Sequence, residues 1–216
     1  MEVIAENFDL YARGFLRTLG ICLWGTVGSL ALGSLLGAFR ISPIPPLRWF
    51  AGAYVNVIRN FPLTVVLFFC AFGLPELGIN QSYYRFALLG LILYTAAFVC
   101  EAVRSGINAV PAGQAEAARA LGLTFSQSLR LVVMPQALRS VVPPLGSVII
   151  AMFKNSAIVG AFGVGGELFS VGNQLTSAEG YAALPVLTGV AIGYLLITIP
   201  AGIALGVIER RVAIAR

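Results

Sequence analysis

The sequence predicts an all-α membrane protein with five transmembrane helices, and three observations lead there. Of the 216 residues, 58% are hydrophobic and only 11% charged, with a mean hydropathy of +0.90, whereas soluble domains carry about a quarter charged residues. The ionisable side chains leave charge-free runs over 18–39 (22 residues), 86–100 (15 residues) and 180–208 (29 residues). Lys and Arg are also shared very unequally between the connecting segments. A bilayer core is crossed by about 20 apolar residues in a helix, which gives spans at 14–39, 53–73, 84–104, 141–165 and 184–208.

The first span follows an acidic stretch, Met-Glu-Val-Ile-Ala-Glu-Asn-Phe-Asp, where a signal peptide would be basic, and it is too long for one, so it is expected to remain as a helix. Gly25, Gly28, Gly33 and Gly37 within it allow close helix approach. The second span contains Arg59 near one end, with Asn60 and Thr64 on the next turn. The third offers the hydroxyls of Tyr94 and Thr95 to the bundle, as ligand groups or as packing with one hydrogen bond each. Lys154, Asn155 and Ser156 lie in the fourth, ahead of Gly160, Gly163, Gly165 and Gly166, a pattern expected to loosen the helix near the midplane. The polar stretch 166–183, with Asn173, Gln174, Thr176 and Ser177, is either a surface for an external partner or a solvated loop. The fifth span is free of charge.

Orientation follows from the basic residues. With the N-terminus outside, inner segments hold Arg40, Arg48, Arg104, Arg119, Arg130, Arg139, Arg210, Arg211 and Arg216, against Arg13, Arg17 and Arg85 outside. Nine against three sets the C-terminus inside. The formal +5 charge is thereby a topological signal and calls for no nucleic-acid partner. Histidine is absent, and Cys22, Cys70 and Cys100 lie far apart in apolar runs, so no catalytic triad and no histidine or cysteine metal site is expected.

Charges inside a bilayer mark function or pairing. Lys154 either holds a substrate carboxylate, neutralises Glu101 or snorkels to an interface. Arg59 is open to a substrate contact, a gating ion pair with Glu101, or snorkelling to the inner interface.

The inner segment 105–140 is too long for a turn and is built like folded structure. Pro111-Ala-Gly breaks one helix, Gln114 to Leu121 is rich in helix formers, and Gly122 ends it. Thr124-Phe-Ser-Gln127 has the form of a capping box, opening a further helix expected to end at Pro135. A short helix between two breaks suits docking of a soluble partner or rest on the lipid surface.

Glu116-Ala117-Ala118, Gly122 after three residues, Val132 after nine more, and Met134-Pro135 resemble the EAA motif of permease subunits of ATP-binding-cassette (ABC) importers, with Val and Met where Ile and Leu usually stand. Arg59-Asn-Phe-Pro-Leu-Thr64, Tyr94 to Ile107, Pro135-Gln-Ala-Leu-Arg139, Pro144-Leu-Gly146 and Lys154-Asn-Ser156 resemble the polar amino-acid branch, and from about residue 14 onward the chain is similar to glutamate permease subunits of actinobacteria. The resemblance implies a single permease domain over 1–216 with the type I importer fold, in a multi-pass subunit of the bacterial cell membrane. Its implied partners are a cytoplasmic ATPase dimer, an extracellular substrate-binding protein and a second permease subunit, a homologous heterodimer being favoured over a homodimer. Ala115, Glu116, Ala117, Ala118, Arg119, Leu121 and Gly122 would form the coupling helix, Glu116 meeting a basic group of the ATPase or Arg119. Lys154, Asn155, Ser156, Arg59, Thr64 and Tyr94 would line the substrate path. Relatives often carry aspartate where Asn155 stands, which leaves this path more positive and favours glutamate, with glutamine or another polar amino acid as the alternative.

No Gly-x4-Gly-Lys-Ser/Thr phosphate loop occurs in the chain, so ATP is expected on the partner ATPase and no cofactor on this subunit. A self-sufficient secondary transporter or channel is the competing class. It would need its own coupling acids, which the spans scarcely offer, and it leaves 105–140 without a role.

Overall fold

The computed structural model describes residues 2–161 and 166–212. A short α1 (Glu2–Glu6) leads into α2 (Phe8–Ile41), followed by α3 (Pro45–Asn60) and α4 (Leu63–Phe68). A π-helical turn (Phe69–Gly73) joins α4 to α5 (Leu74–Glu76), and α6 (Tyr83–Asn108) is followed by the short α7 (Ala112–Ala120). Then come α8 (Phe125–Ser128), a π-helical turn (Leu129–Val133), α9 (Met134–Ala161), α10 (Leu168–Asn173) with its own π-helical turn (Gln174–Ala178), and α11 (Ala183–Val212). Backbone polar groups in lipid must be bonded within the chain, and helices do this segment by segment.

Among the described residues, four single helices are long and apolar enough to cross a membrane: α2, α6, the continuous run Phe125–Gly160, and α11. The predicted second span, 53–73, falls on a bent pair, Pro45–Asn60 and Leu63–Glu76 meeting at 106°, which together are long and apolar enough to make a fifth span where the two halves cross as one broken span. Pro62 is the cause: it has no amide hydrogen and holds Phe61 extended, at φ −88° and ψ 141°. Arg59 therefore ends an amphipathic helix rather than sitting within a straight span.

The glycines of α2 seat it on α6. A Cβ on Gly28 would strike Ile92, one on Gly37 would lie 2.9 Å from Val103 Cγ1, and one on Gly33 would overlap Val99 and stand 2.8 Å from the Ala96 carbonyl oxygen. Against this pair α3 buries Ala51 and Val55 beside Leu36, Ala96, Ala97 and Cys100, while α4 buries Leu63 and Leu67 against Ala87 and Leu91. On the other flank α9 crosses α6 at Gly106, whose missing side chain is replaced by Val141. The lipid-compatible exterior is apolar, as with Trp24, Leu35, Leu196 and Ile203. Cys22, Cys70 and Cys100 are free and buried, as small apolar residues are.

The polar stretch 166–183 proves not to be a plain loop. Its α10 packs into the bundle between α2, α9 and α11, burying Leu168 and Val171, and Asn173 donates to the Gly160 carbonyl at 3.0 Å. Glu167, fully buried, accepts from the amides of Phe169 and Ser170, each at 2.8 Å, and from the Tyr194 hydroxyl at 2.7 Å. Burial raises its carboxyl pKa, against those hydrogen bonds, which lower it.

Two other expectations change. The helix opened by the Thr124 capping box does not end at Pro135: the π-helical turn just before it widens the backbone where the proline ring would clash and its missing donor would be felt, so the helix continues to Ala161. It also remains helical through Lys154 rather than loosening there, and Pro143 and Pro144 lie within it. Gly163 and Gly165 lie outside the described residues, as does Arg216.

Replacing Gly33 with Leu should lower the thermal midpoint of the purified subunit sharply, at the upper end of the ~1–3 kcal/mol typical of overpacking. Gly202→Leu, where nothing lies within 4 Å of the added carbon, should leave the midpoint unchanged in the same fluorescence melt.

Candidate functional site

Three arrangements follow from this packing. The first is a groove of about 450 Å³ between α9 and α11. On α9, Gly146, Ile150 and Lys154 recur at four-residue spacing and so line one stripe of the helix. Facing them, α11 contributes Gly202, Gly206 and Glu209, and Ser147 and Asn155 of α9 also line the groove. The groove exists because the buried side chains of α11 all precede Pro200, and the half beyond it meets α9 loosely across glycines. Lys154 is exposed here, and among the described residues no carboxylate lies within 4.0 Å of its ammonium.

The second is a smaller cavity of about 170 Å³ between α6 and α9, lined by Tyr94, Thr95, Phe98, Met152 and Asn155. Asn155 borders both spaces, which brings it together with Lys154 on one side and Tyr94 on the other. Phe98 lies one turn after Tyr94, their ring centroids 5.1 Å apart, and the Arg59 guanidinium sits 5.5 Å from the Phe98 centroid.

The third is an ion cluster. Glu101 on α6 is shared by Arg104 at 2.8 Å, by Arg40 of α2 at 3.2 Å and by Arg59 of α3 at 3.9 Å. Of the alternatives for Arg59, the contact with Glu101 is the one the structure contains. Lys154 does not neutralise Glu101, which is taken by the three arginines. One carboxylate thus ties together the ends of three helices, and surplus positive charge remains at that end of the bundle.

The remaining candidates separate. Ser156 is fully buried and donates to the Phe153 carbonyl at 2.7 Å, away from the groove. Thr64 is exposed on the first turn of α4. Among the described residues no cluster of His, Cys, Asp or Glu is arranged to hold a metal ion.

At the end of the bundle shared by Arg40 and Arg104 projects α7. Its Ala118 is buried, while Glu116, Ala117, Arg119 and Leu121 are exposed and Ala115 is half-buried. Among the described residues Glu116 and Arg119 make no ion pair. Gly122 has φ +83°, and the bonds Leu123 N–H to Ala118 C=O and Gly122 N–H to Arg119 C=O, at 3.2 and 2.9 Å, close the helix as a Schellman motif. Thr124 and Gln127 form the reciprocal capping box.

Sequence reasoning missed Glu209, Phe98 and Arg40 as members of these arrangements. Phe98 was within reach, since an aromatic four residues after Tyr94 shares its helical face. Glu209 and Arg40 were not, because each meets its neighbours only through tertiary packing.

Residues 29–214 match the family described as binding-protein-dependent transport system inner membrane component. The glutamate transport system permease protein GluC of Corynebacterium efficiens is 40% identical, covering 94% of this chain and 93% of that protein. The probable glutamine ABC transporter permease protein GlnM of Bacillus subtilis is 37% identical, covering 98% and 97%. Among solved structures, an amino acid ABC transporter crystallised with histidines superposes with a TM-score of 0.89 at 31% identity, over 97% of both chains. The MetNI methionine ABC transporter in an inward-facing conformation gives 0.74 at 28% identity, over 96% and 98%. Membership implies an ATPase and a binding protein as partners in general, and ATP hydrolysis belongs to the separate ATPase subunit. The chain belongs to the family of binding-protein-dependent transport system inner membrane components and is a membrane-embedded permease subunit of an ABC amino-acid importer.

Proposed function

We propose that this permease carries glutamate, and that Lys154 receives a carboxylate of the substrate in the groove between α9 and α11. The observation that carries the reading is a cation in the fourth apolar span with no carboxylate partner among the described residues, next to Asn155 and in a groove that Ser147 also lines. An uncompensated charge at membrane depth is costly, and an arriving carboxylate offsets that cost where a cationic amino acid would add to it. Tyr94 and Asn155, joined by the smaller cavity, extend the polar lining. Arg59 acts with Glu101 at the inner end, and Ser156 and Thr64 support the helices rather than the substrate. A relative named for glutamate supports this reading, and one named for glutamine supports the second, in which Asn155 reads a carboxamide.

The subunit is oriented with its N-terminus outside, as the nine-to-three division of basic residues favours. In that orientation α7 faces the cytoplasm and is the coupling helix, its EAA residues Glu116, Ala117 and Ala118 and the exposed Leu121 meeting the ATPase. The second permease subunit is a homologue, since the glutamate systems this chain resembles pair two different permeases.

Lys154→Met should cut glutamate uptake by reconstituted transporter about tenfold, the worth of ~1.4 kcal/mol, and leave glutamine uptake less affected. Equal glutamate uptake in the variant rejects the assignment. Gly122→Val places a β-branched residue at positive φ, disfavoured by about 1–2 kcal/mol. ATP hydrolysis should continue in this variant while uptake falls. Cysteine labelling at Glu6 should succeed from outside with an impermeant reagent, whereas labelling at Arg210 should require permeabilised membranes.

A further inference from the structure

Glu209 is the second charge of the groove, and nothing in the family assignment gives it a role. It lies three residues from the last described residue of α11, and its carboxylate oxygen Oε1 occupies a notch on α9 only 2.7 Å from where a Cβ at Gly146 would be. Only glycine leaves that notch open. Among the described residues Glu209 makes no ion pair, although Arg210 and Arg211 adjoin it in sequence.

Gly146 and Lys154 are eight residues apart on one helix, about 12 Å along its axis. Glu209 at one end and Lys154 at the other thus keep opposite charges in one cavity without neutralising each other. A permanent ion pair would have been the inexpensive arrangement, so the separation points to an occupant bearing both charges. The α-ammonium and α-carboxylate of an amino acid are only a few ångströms apart and do not span it well. An amino acid whose side chain ends in a carboxylate or carboxamide, lying along the groove, does.

We propose that Glu209 accepts the hydrogen bonds of the substrate's α-ammonium group while Lys154 and Asn155 meet the far end of its side chain. The proposal rests on the groove reading of Lys154. It names a general amino-acid contact at one end and leaves discrimination between side chains to the other. Ser147, between them on α9, serves the α-carboxylate. On the orientation above, Glu209 lies toward the cytoplasmic end, so the ammonium end leads the substrate inward.

The test is binding to the purified transporter complex in detergent, without the external binding protein, by equilibrium dialysis of glutamate and of N-acetylglutamate, which lacks the ammonium charge. Glu209→Gln should weaken glutamate binding about tenfold or more, as for a lost charge-assisted contact, and leave N-acetylglutamate binding unchanged. A merely structural role would weaken both ligands alike, and that result overturns the proposal. So does unchanged glutamate binding, or no measurable binding of any amino acid by the unaltered complex. Should Glu209→Gln fail to assemble, Gly146→Ala displaces the same carboxylate from its notch and should show the same selective loss; equal loss for both ligands again overturns it. Repeating the series with glutamine and N-acetylglutamine separates the two claims. A Glu209 effect on glutamine, with glutamate not bound, supports the ammonium contact and rejects the glutamate reading. A Lys154→Met effect with none from Glu209→Gln rejects the contact alone.

Discussion

The contact between α2 and α6 is the constraint on which the other elements depend. In lipid the hydrophobic effect gives helices little reason to associate, and close van der Waals approach has to supply it. Gly28, Gly33 and Gly37 let the α2 backbone come down onto Ile92, Val99 and Val103. With the pair locked at that distance, Leu36 and Cys100 create the surface that α3 covers, and Arg40 reaches Glu101. Nearer its C-terminal end α6 receives α9 at Gly106. Widening the first contact by one side chain would move both the arginine cluster and the wall of the Tyr94 cavity.

Much of this was legible in the sequence, and the limits have physical causes. Charge-free runs identify α2, α6 and α11 because desolvating a charge dominates every other term in a bilayer. The turn at Gly122 and the capping box at Thr124 and Gln127 were readable because each is satisfied within a few residues of itself. The bend at Pro62 was present in the local pattern of a residue forced extended before proline, but counting apolar length across it gives the span without its 106° bend. At Pro135 the local signal misled in the opposite direction, since a π-helical turn removed the conflict. The Arg59–Glu101 pair was one of the alternatives read from the sequence, but the convergence of Arg40 and Arg104 on the same carboxylate, and Glu209 resting against Gly146, depend on helix packing that no local spacing encodes.

The candidate site shows the same division. Lys154 stands out in the sequence as a cation among apolar residues, and the structure brings it together with Asn155 and, through the smaller cavity, with Tyr94. It removes Ser156, whose hydroxyl is spent on the Phe153 carbonyl, and Thr64, exposed on α4 and outside both cavities. The carboxylate in the same groove comes from the far end of the last helix, where its neighbours Arg210 and Arg211 make it look like part of a solvated tail.

The uninterrupted run from Phe125 to Gly160 has a mechanical consequence. Its 36 residues make a rod about 54 Å long, at 1.5 Å per residue. A kink at Pro135 would have absorbed movement at the end next to α7. Because the π-helical turn preserves continuity there, a tilt of about 5° would displace the opposite end by about 5 Å if the helix stayed straight, and Pro143 and Pro144, inside it, are where it would bend instead. The groove wall from Gly146 to Lys154 lies beyond that proline pair, so its distance from α11 would follow the angle at which α9 leaves the two prolines.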